Sequence, residues 1–243
     1  MAGPRVIPGR APLIFAQLGL WLDPVARGGP AQMACDEALL RAATRPILRV
    51  FRWAAPWVSA GYFVPWAEAA VVRPDLPVCR RWTGGGIVVH DGDLTFSLAV
   101  PRDESWAALR PAESYRQLHE ALAQALRGAG VEAELSEEAQ SAGQQCFARP
   151  VRHDILSTGK KIVGGAQRRT KAGLLHQGSI QGARFEADAL ASLGTALAGQ
   201  TLIWEPPAGM EAEIGRLEAA KYGRREFIYG SNGPGRPSCA PQG

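Results

Sequence analysis

Four cysteines and four histidines in 243 residues leave this chain little cross-linking or metal-binding chemistry. Cys35, Cys79, Cys146 and Cys239 are scattered, form no CxxC and join no His/Cys cluster. That excludes the usual zinc spacings and a disulfide framework, and leaves reduced thiols in a cytoplasmic location as the expectation. No uncharged apolar run is long enough to span a bilayer, so no membrane partner is expected. The formal charge of +4, from 27 basic and 23 acidic residues, is too slight to argue for nucleic acid. Aromatics interleaved with lysines, the mark of single-strand binding, are missing too. Neither a GxxxxGK followed by Ser or Thr nor a strand–GxGxxG–helix unit occurs, which removes the two commonest phosphate loops. The apolar stretch Leu13 to Leu22 follows Arg5 and Arg10, but Gln17 interrupts it and Asp23 closes it without a small-residue cleavage pattern. It predicts a first strand, not a signal segment.

What remains is an ordinary globular composition with no internal repeat and no clear linker. It predicts a single domain over 1–230 and a flexible tail, rich in Gly, Pro and Ser, over 231–243. Met33 to Thr44 predicts a short helix, with Asp36 and Glu37 near its start. Leu48 to Trp53 alternates apolar and basic residues as a half-buried strand does. Ile87 to Val89 and Leu94 to Val100 predict two strands about a Gly92-Asp93 turn. Tyr115, Leu118, Leu122 and Leu126 set a helix over 112–127, ended by Gly128 and Gly130. A polar loop over 136–145 leads to Cys146. Asp154 to Ser157 and Lys161 to Val163 predict a hairpin about Thr158-Gly159, and Leu174 to Gln181 another strand. Helices are expected over 186–198 and 210–222. Strands and helices mixed without a repeating βαβ rhythm place the chain in the α+β class, with mixed or antiparallel sheets flanked by helices.

Two glycine-rich basic segments carry the chemistry. The first runs Arg80-Arg81-Trp82-Thr83-Gly84-Gly85-Gly86 and on to His90-Asp91. Consecutive glycines beside cations let backbone approach a ligand closely, so cation, backbone and imidazole are expected to converge. A lone triple glycine is otherwise an ordinary flexible turn. The second is Gly159-Lys160-Lys161-Ile162-Val163-Gly164-Gly165-Ala166-Gln167-Arg168-Arg169, with Cys146-Phe147 upstream. Strand alternation puts Lys160 and Lys161 on opposite faces, so one lysine faces a site and the other solvent. Burial in a core is the common fate of a cysteine. Cys146 instead follows a strongly polar loop, and a nearby ammonium would lower its thiol pKa from about 8.5. His119 on a helix and His153 in a basic loop are expected to be structural. His176 and Gln177 lie in a strand.

In this order, the segments resemble the lipoate/biotin protein ligase-like superfamily, in its lipoyl-pathway branch. The resemblance runs from Leu13 to Tyr229. It rests on Met33 to Leu40, on Arg80 to Gly86 with His90-Asp91, on Gly159 to Gln167, on His176-Gln177-Gly178-Ser179-Ile180 and on Lys221-Tyr222. It implies the ligase catalytic-domain fold and a catalytic domain over 1–230. Cys146-Phe147 ahead of the hairpin is similar to the cysteine of LipM-type octanoyltransferases. These take octanoate from acyl carrier protein as a cysteine thioester and pass it to a lysine of a lipoyl-acceptor protein. That acceptor is a glycine-cleavage H protein or a dehydrogenase E2 lipoyl domain.

The resemblance implies Cys146 and Lys161 as catalytic residues and no cofactor. Substrate contacts are implied for Arg81, Thr83, Gly84, Gly85, Gly86, His90, Gly164, Gly165, Ala166, His176 and Gly178. Val88, Leu98 and Val163 would wall an acyl tunnel, and Arg80, Arg81, Arg168 and Arg169 a basic rim for the carrier. Two alternatives stand beside this. One is an ATP-dependent lipoate–protein ligase, using ATP and Mg2+ and leaving Cys146 incidental; the other is a carrier-binding member without turnover. Gly86 stands where transferases of this type often have arginine, and Gln32 and Cys35 replace a more usual asparagine and leucine.

Overall fold

The computed structural model describes residues 13–137, 150–182 and 187–230. Cys146 and the expected tail over 231–243 lie outside them. Strand β1 (Phe15–Leu22) leads into helix α1 (Gly29–Ala42), then β2 (Ile47–Phe51). A smaller region follows: β3 (Trp57–Ala60), the short helix α2 (Trp66–Ala70), β4 (Val78–Arg80) and β5 (Ile87–His90). The chain returns through β6 (Leu94–Pro101) to α3 (Pro111–Gly128), β7 (Glu134–Leu135), β8 (Ile155–Ser157), β9 (Lys160–Arg169) and β10 (Gly173–Ile180). It closes with α4 (Ala187–Leu197), β11 (Ala198–Ile203), α5 (Met210–Leu217) and α6 (Arg225–Tyr229).

Among the described residues, eight strands pair in the order β11-β1-β2-β6-β10-β9-β8-β7, and three form a second sheet, β4-β3-β5. β1 pairs in parallel with both neighbours, whereas β6, β10 and β9 are antiparallel. The large sheet is buried on both faces. Leu48, Phe96, Leu98, Val163, Leu174 and Ile180 pack with Leu118, Leu122 and Leu126 of α3. On the opposite face Ile47, Ala99 and Leu175 meet Met33, Leu39 and Leu40 of α1 and Ile214 and Leu217 of α5. The sheet is covered on both sides, so every residue of β6 is buried, its Thr95 and Ser97 included.

α3 forms where leucines recur every four residues, and it opens on Pro111, whose missing N–H costs nothing in a first turn. β8 and β9 are joined at Thr158 and Gly159, both with positive φ (49° and 75°), the geometry of a tight two-residue hairpin. No described helix is long and apolar enough to cross a membrane.

Candidate active site

Residues of both sheets and of α1 line one small cleft whose accessible surface is almost wholly apolar. Met33 and Trp53 form part of its wall. Ser59, Arg81, Val88 and His90 come from the small sheet and its loop. Thr95, Gly164, Gly165, Ala166, Gln177, Gly178 and Ser179 come from β6, β9 and β10.

Lys161 sits at the edge of this cleft. The Lys161 Nζ lies 2.7 Å from the Asp154 Oδ2, and both side chains are almost fully buried. Lys160, on the other face of the strand, is exposed. One lysine therefore turns inward, as alternation requires. The ammonium rests against the backbone of Gly164: a Cβ there would stand 2.6 Å from the Nζ and 2.4 Å from the Cε. Only glycine leaves room for the amine beside a cleft-lining residue.

Asp154 is held in turn by Tyr115, whose hydroxyl donates to the Oδ1 at 2.6 Å, and by the Val151 N–H, which donates to the Oδ2 at 2.7 Å. Tyr115 also accepts the Gly165 N–H at 3.0 Å. That amide is thus already spent and is not a free oxyanion donor.

Arg81 anchors the triple-glycine loop. Its guanidinium donates to the carbonyls of Gly84 (3.1 Å) and Gly86 (2.7 Å), and also to the carbonyl and hydroxyl of Ser59. The loop packs on the small sheet so closely that a Cβ on Gly61 would fall 2.0 Å from the Gly85 carbonyl oxygen. Gly85 has a φ of 80°, in the region that glycine favours. Thr83 is buried and donates to Gln177 Oε1 at 2.7 Å, while Gln177 donates to Asp36 Oδ2 at 2.6 Å. A hydrogen-bonded chain thus runs from the loop to α1. Asp36 also binds Arg49, a fully buried arginine shared with Asp23.

His90 lines the cleft, stacked on Trp53 with ring centroids 4.1 Å apart. Its Nδ1 is 2.8 Å from Asp93 Oδ2 and its Nε2 is 2.7 Å from Ser59 Oγ. Burial pushes its pKa below the ordinary histidine value. Burial also acts to raise the Asp93 carboxyl, but hydrogen bonds from His90, Ser179 and Thr95 outweigh it and hold the group below the usual range. Near neutral pH the pair is a neutral imidazole facing a carboxylate.

Of the expected residues, Arg81, His90, Gly164, Gly165, Ala166 and Gly178 line the cleft; Lys161 touches it only through Gly164, and Gly84 to Gly86 stand behind it. Several expected positions do not join them. Thr83 is buried behind the lining, where it serves Gln177. His176 shares a face of β10 with Leu174 and Ile180 and points toward α3, where its ring sits 5.4 Å from Tyr115 and 5.5 Å from His119. There burial drives its pKa down to about 3. Leu98 and Val163 face the α3 core, so of the three expected tunnel residues only Val88 lines the cleft. Arg80 is no rim cation either: it is buried and donates to the carbonyls of Gly61, Tyr62, Val64 and Ile228. Arg81 is likewise spent on the loop.

Sequence reasoning passed over Asp154, Tyr115, Ser59 and Asp93. Asp154 carried one usable signal, an acidic residue opening the hairpin that bears the lysine.

The Lipoyl protein ligase A/B catalytic domain matches residues 29–193. This chain belongs to that family. Family relatives named Octanoyltransferase LipM include that of Oceanobacillus iheyensis, 32% identical over 66% of this chain and 62% of its own length. That of Moorella thermoacetica is 35% identical over 61% of this chain and 59% of its own. The chain thus spans about three fifths of the curated relatives it matches. In fold it is similar to lipoate-protein ligase A bound with ATP, at a TM-score of 0.69 and 22% identity, covering 88% of this chain and 98% of that one. It is also similar to a bi-partite lipoate protein ligase from Thermoplasma acidophilum, at a TM-score of 0.66 and 22% identity, covering 90% and 97%. These likenesses fix the lipoyl ligase catalytic-domain fold, in agreement with the α+β expectation.

Proposed function

We propose that this family member transfers an octanoyl group from acyl carrier protein, through a thioester on Cys146, to a lysine of a lipoyl-acceptor protein. The observation that carries the reading is the buried Lys161 ammonium, packed on Gly164 at the edge of an apolar cleft. The LipM relatives support it, and so does the sequence position of Cys146. Cys146 stands five residues before Val151, whose N–H is bound to the carboxylate that holds Lys161.

A thioester is activated enough to form an amide without ATP, whereas a free carboxylic acid is not. The Cys146 thiolate attacks the carrier-bound octanoyl carbonyl, and the carrier's thiol leaves with a proton. Lys161 favours the thiolate and faces the carbonyl oxygen. The acceptor lysine's amine then attacks the Cys146 thioester, and the amide forms as the thiol is released. The acyl chain lies in the cleft between Val88 and the glycines of β9. The acceptor is of the glycine-cleavage H protein or E2 lipoyl-domain type, and the reaction takes place in the cytoplasm.

Mixing the protein with octanoyl carrier protein should add one octanoyl mass, lost on hydroxylamine treatment and in Cys146→Ala. ATP-dependent lipoylation that survives Cys146→Ser, with no adduct, would replace this reading with a ligase.

A further inference from the structure

Ser59, His90 and Asp93 stand in hydrogen-bonded series, and Ser59 and His90 both line the cleft. We propose that they form a second nucleophilic centre, with Ser59 as nucleophile, His90 as its base and Asp93 orienting the imidazole, able to hydrolyse an acyl thioester or activated ester held in the cleft. The thioester as natural substrate rests on the transfer reading above; the centre itself rests on geometry alone.

Proton positions follow from what each partner can do. The Asp93 carboxylate accepts only, so His90 carries its hydrogen on Nδ1 and leaves a bare lone pair on Nε2. Asp93 is kept in place by the hydroxyls of Ser179 and Thr95. Arg81 has donors only, and its Nη1 donates to Ser59 Oγ at 2.7 Å. That contact occupies an oxygen lone pair and directs the hydroxyl hydrogen along the remaining short contact, toward His90 Nε2. A serine hydrogen-bonded to a neutral imidazole whose far nitrogen is held by a carboxylate is the arrangement that general-base activation of a hydroxyl requires. The Trp53 ring stacked on His90 fixes the imidazole plane, and the Arg81 guanidinium bound to Ser59 Oγ holds the attacking oxygen in place.

Sequence order explains why the three meet. β3 and β5 are antiparallel neighbours, which sets Ser59 beside the strand bearing His90, and the Gly92 turn brings Asp93 back under the ring.

In the step proposed, Ser59 Oγ bonds to the acyl carbon while His90 Nε2 takes its proton. The carbon–sulfur bond then breaks, and the thiol leaves with that proton. Water repeats the sequence on the resulting ester, with His90 again as base, releasing the carboxylic acid and restoring the serine. Water is the only co-reactant.

Two measurements test this without relying on carrier protein or Cys146. A fluorophosphonate probe on the unmutated protein, followed by peptide mass spectrometry, should label Ser59. Cys146→Ala protein given p-nitrophenyl octanoate should release octanoate, and adding Ser59→Ala should lower that rate about 100-fold or more. No label on Ser59, or release unchanged by Ser59→Ala, overturns the proposal. The label is read on the native sequence, so a variant that fails to fold cannot hide the answer. Loss of the octanoyl adduct on Cys146 would overturn the transfer reading and leave this one standing.

Discussion

Lys161 of β9 and Asp154, the residue just before β8, form an ion pair 2.7 Å long, nearly sealed from solvent. A pair so buried gains little over an apolar one, but breaking it on one side leaves an unmatched charge.

Replacing Asp154 with Asn or Ala should therefore destabilise the protein by about 3–5 kcal/mol in urea unfolding and abolish acyl transfer. The double change Asp154→Leu with Lys161→Met should recover most of that stability and none of the activity. Equal losses in the single and double variants would show that the Tyr115 and Val151 donors stranded without the carboxylate, not the unmatched ammonium, set the cost.

Gly164→Ala tests placement of the amine. The new methyl meets the far end of Lys161 and no nearer backbone. Displacing that ammonium strains its buried pair with Asp154, so transfer should fall about tenfold or more and stability by about 1–3 kcal/mol. Gly178→Ala acts on packing alone. Its Cβ would overlap the buried Phe96 ring at 2.2 Å, costing about 1–3 kcal/mol of stability through overpacking.

Much of this architecture was readable beforehand wherever long elements carried their own period. The leucines of α3, the Thr158-Gly159 hairpin and the strands about Gly92 stand close to where periodicity set them. β3 and β4 were missed because they are short and gain their identity from pairing with each other and with β5, not from any run of their own. β11 was missed because it follows α4 with no turn residue between them.

The site was legible in its cations, glycines and imidazole, and illegible in their partners. The Asp154 contact depends on a strand register that shifts by a bulge between Ile155 and Leu156. His176 was misplaced for a related reason: alternation sorts the residues of a strand into two faces without saying which face meets the cleft.

Acid should weaken the fold in two stages. The pKa values of buried His90, His119 and His176 lie below the unfolded value of about 6.5, so between those limits the unfolded state binds more protons. Their stabilising contribution is complete above pH ~6.5 and is lost as pH falls, by up to about 1.4 kcal/mol per pH unit for each histidine. For His176 this continues toward pH 3. Asp93 is held below its usual range, so its contribution drains away once pH passes below the unfolded value of about 4. Urea midpoints between pH 4 and 8 give the slope, and a flat profile would contradict the neutral buried imidazoles.

Cys35 and Cys79 are buried, and desolvation pushes both thiols up to about 12. Iodoacetamide at pH 8 should leave them unmodified in the native protein and alkylate them in urea, as peptide mass spectrometry will show. Rapid native labelling at either would mean that the packing around α1 opens readily.

The thread from Thr83 through Gln177 to Asp36 gives the triple-glycine turn a remote fastening. Anyone transplanting a different turn into positions 81–86 must also transplant its distant clasp, since the carboxylate on the first helix and the amide in β10 are cut to fit that threonine. Redesign of this turn is then a task of exchanging matched sets, with loop and helix inherited together.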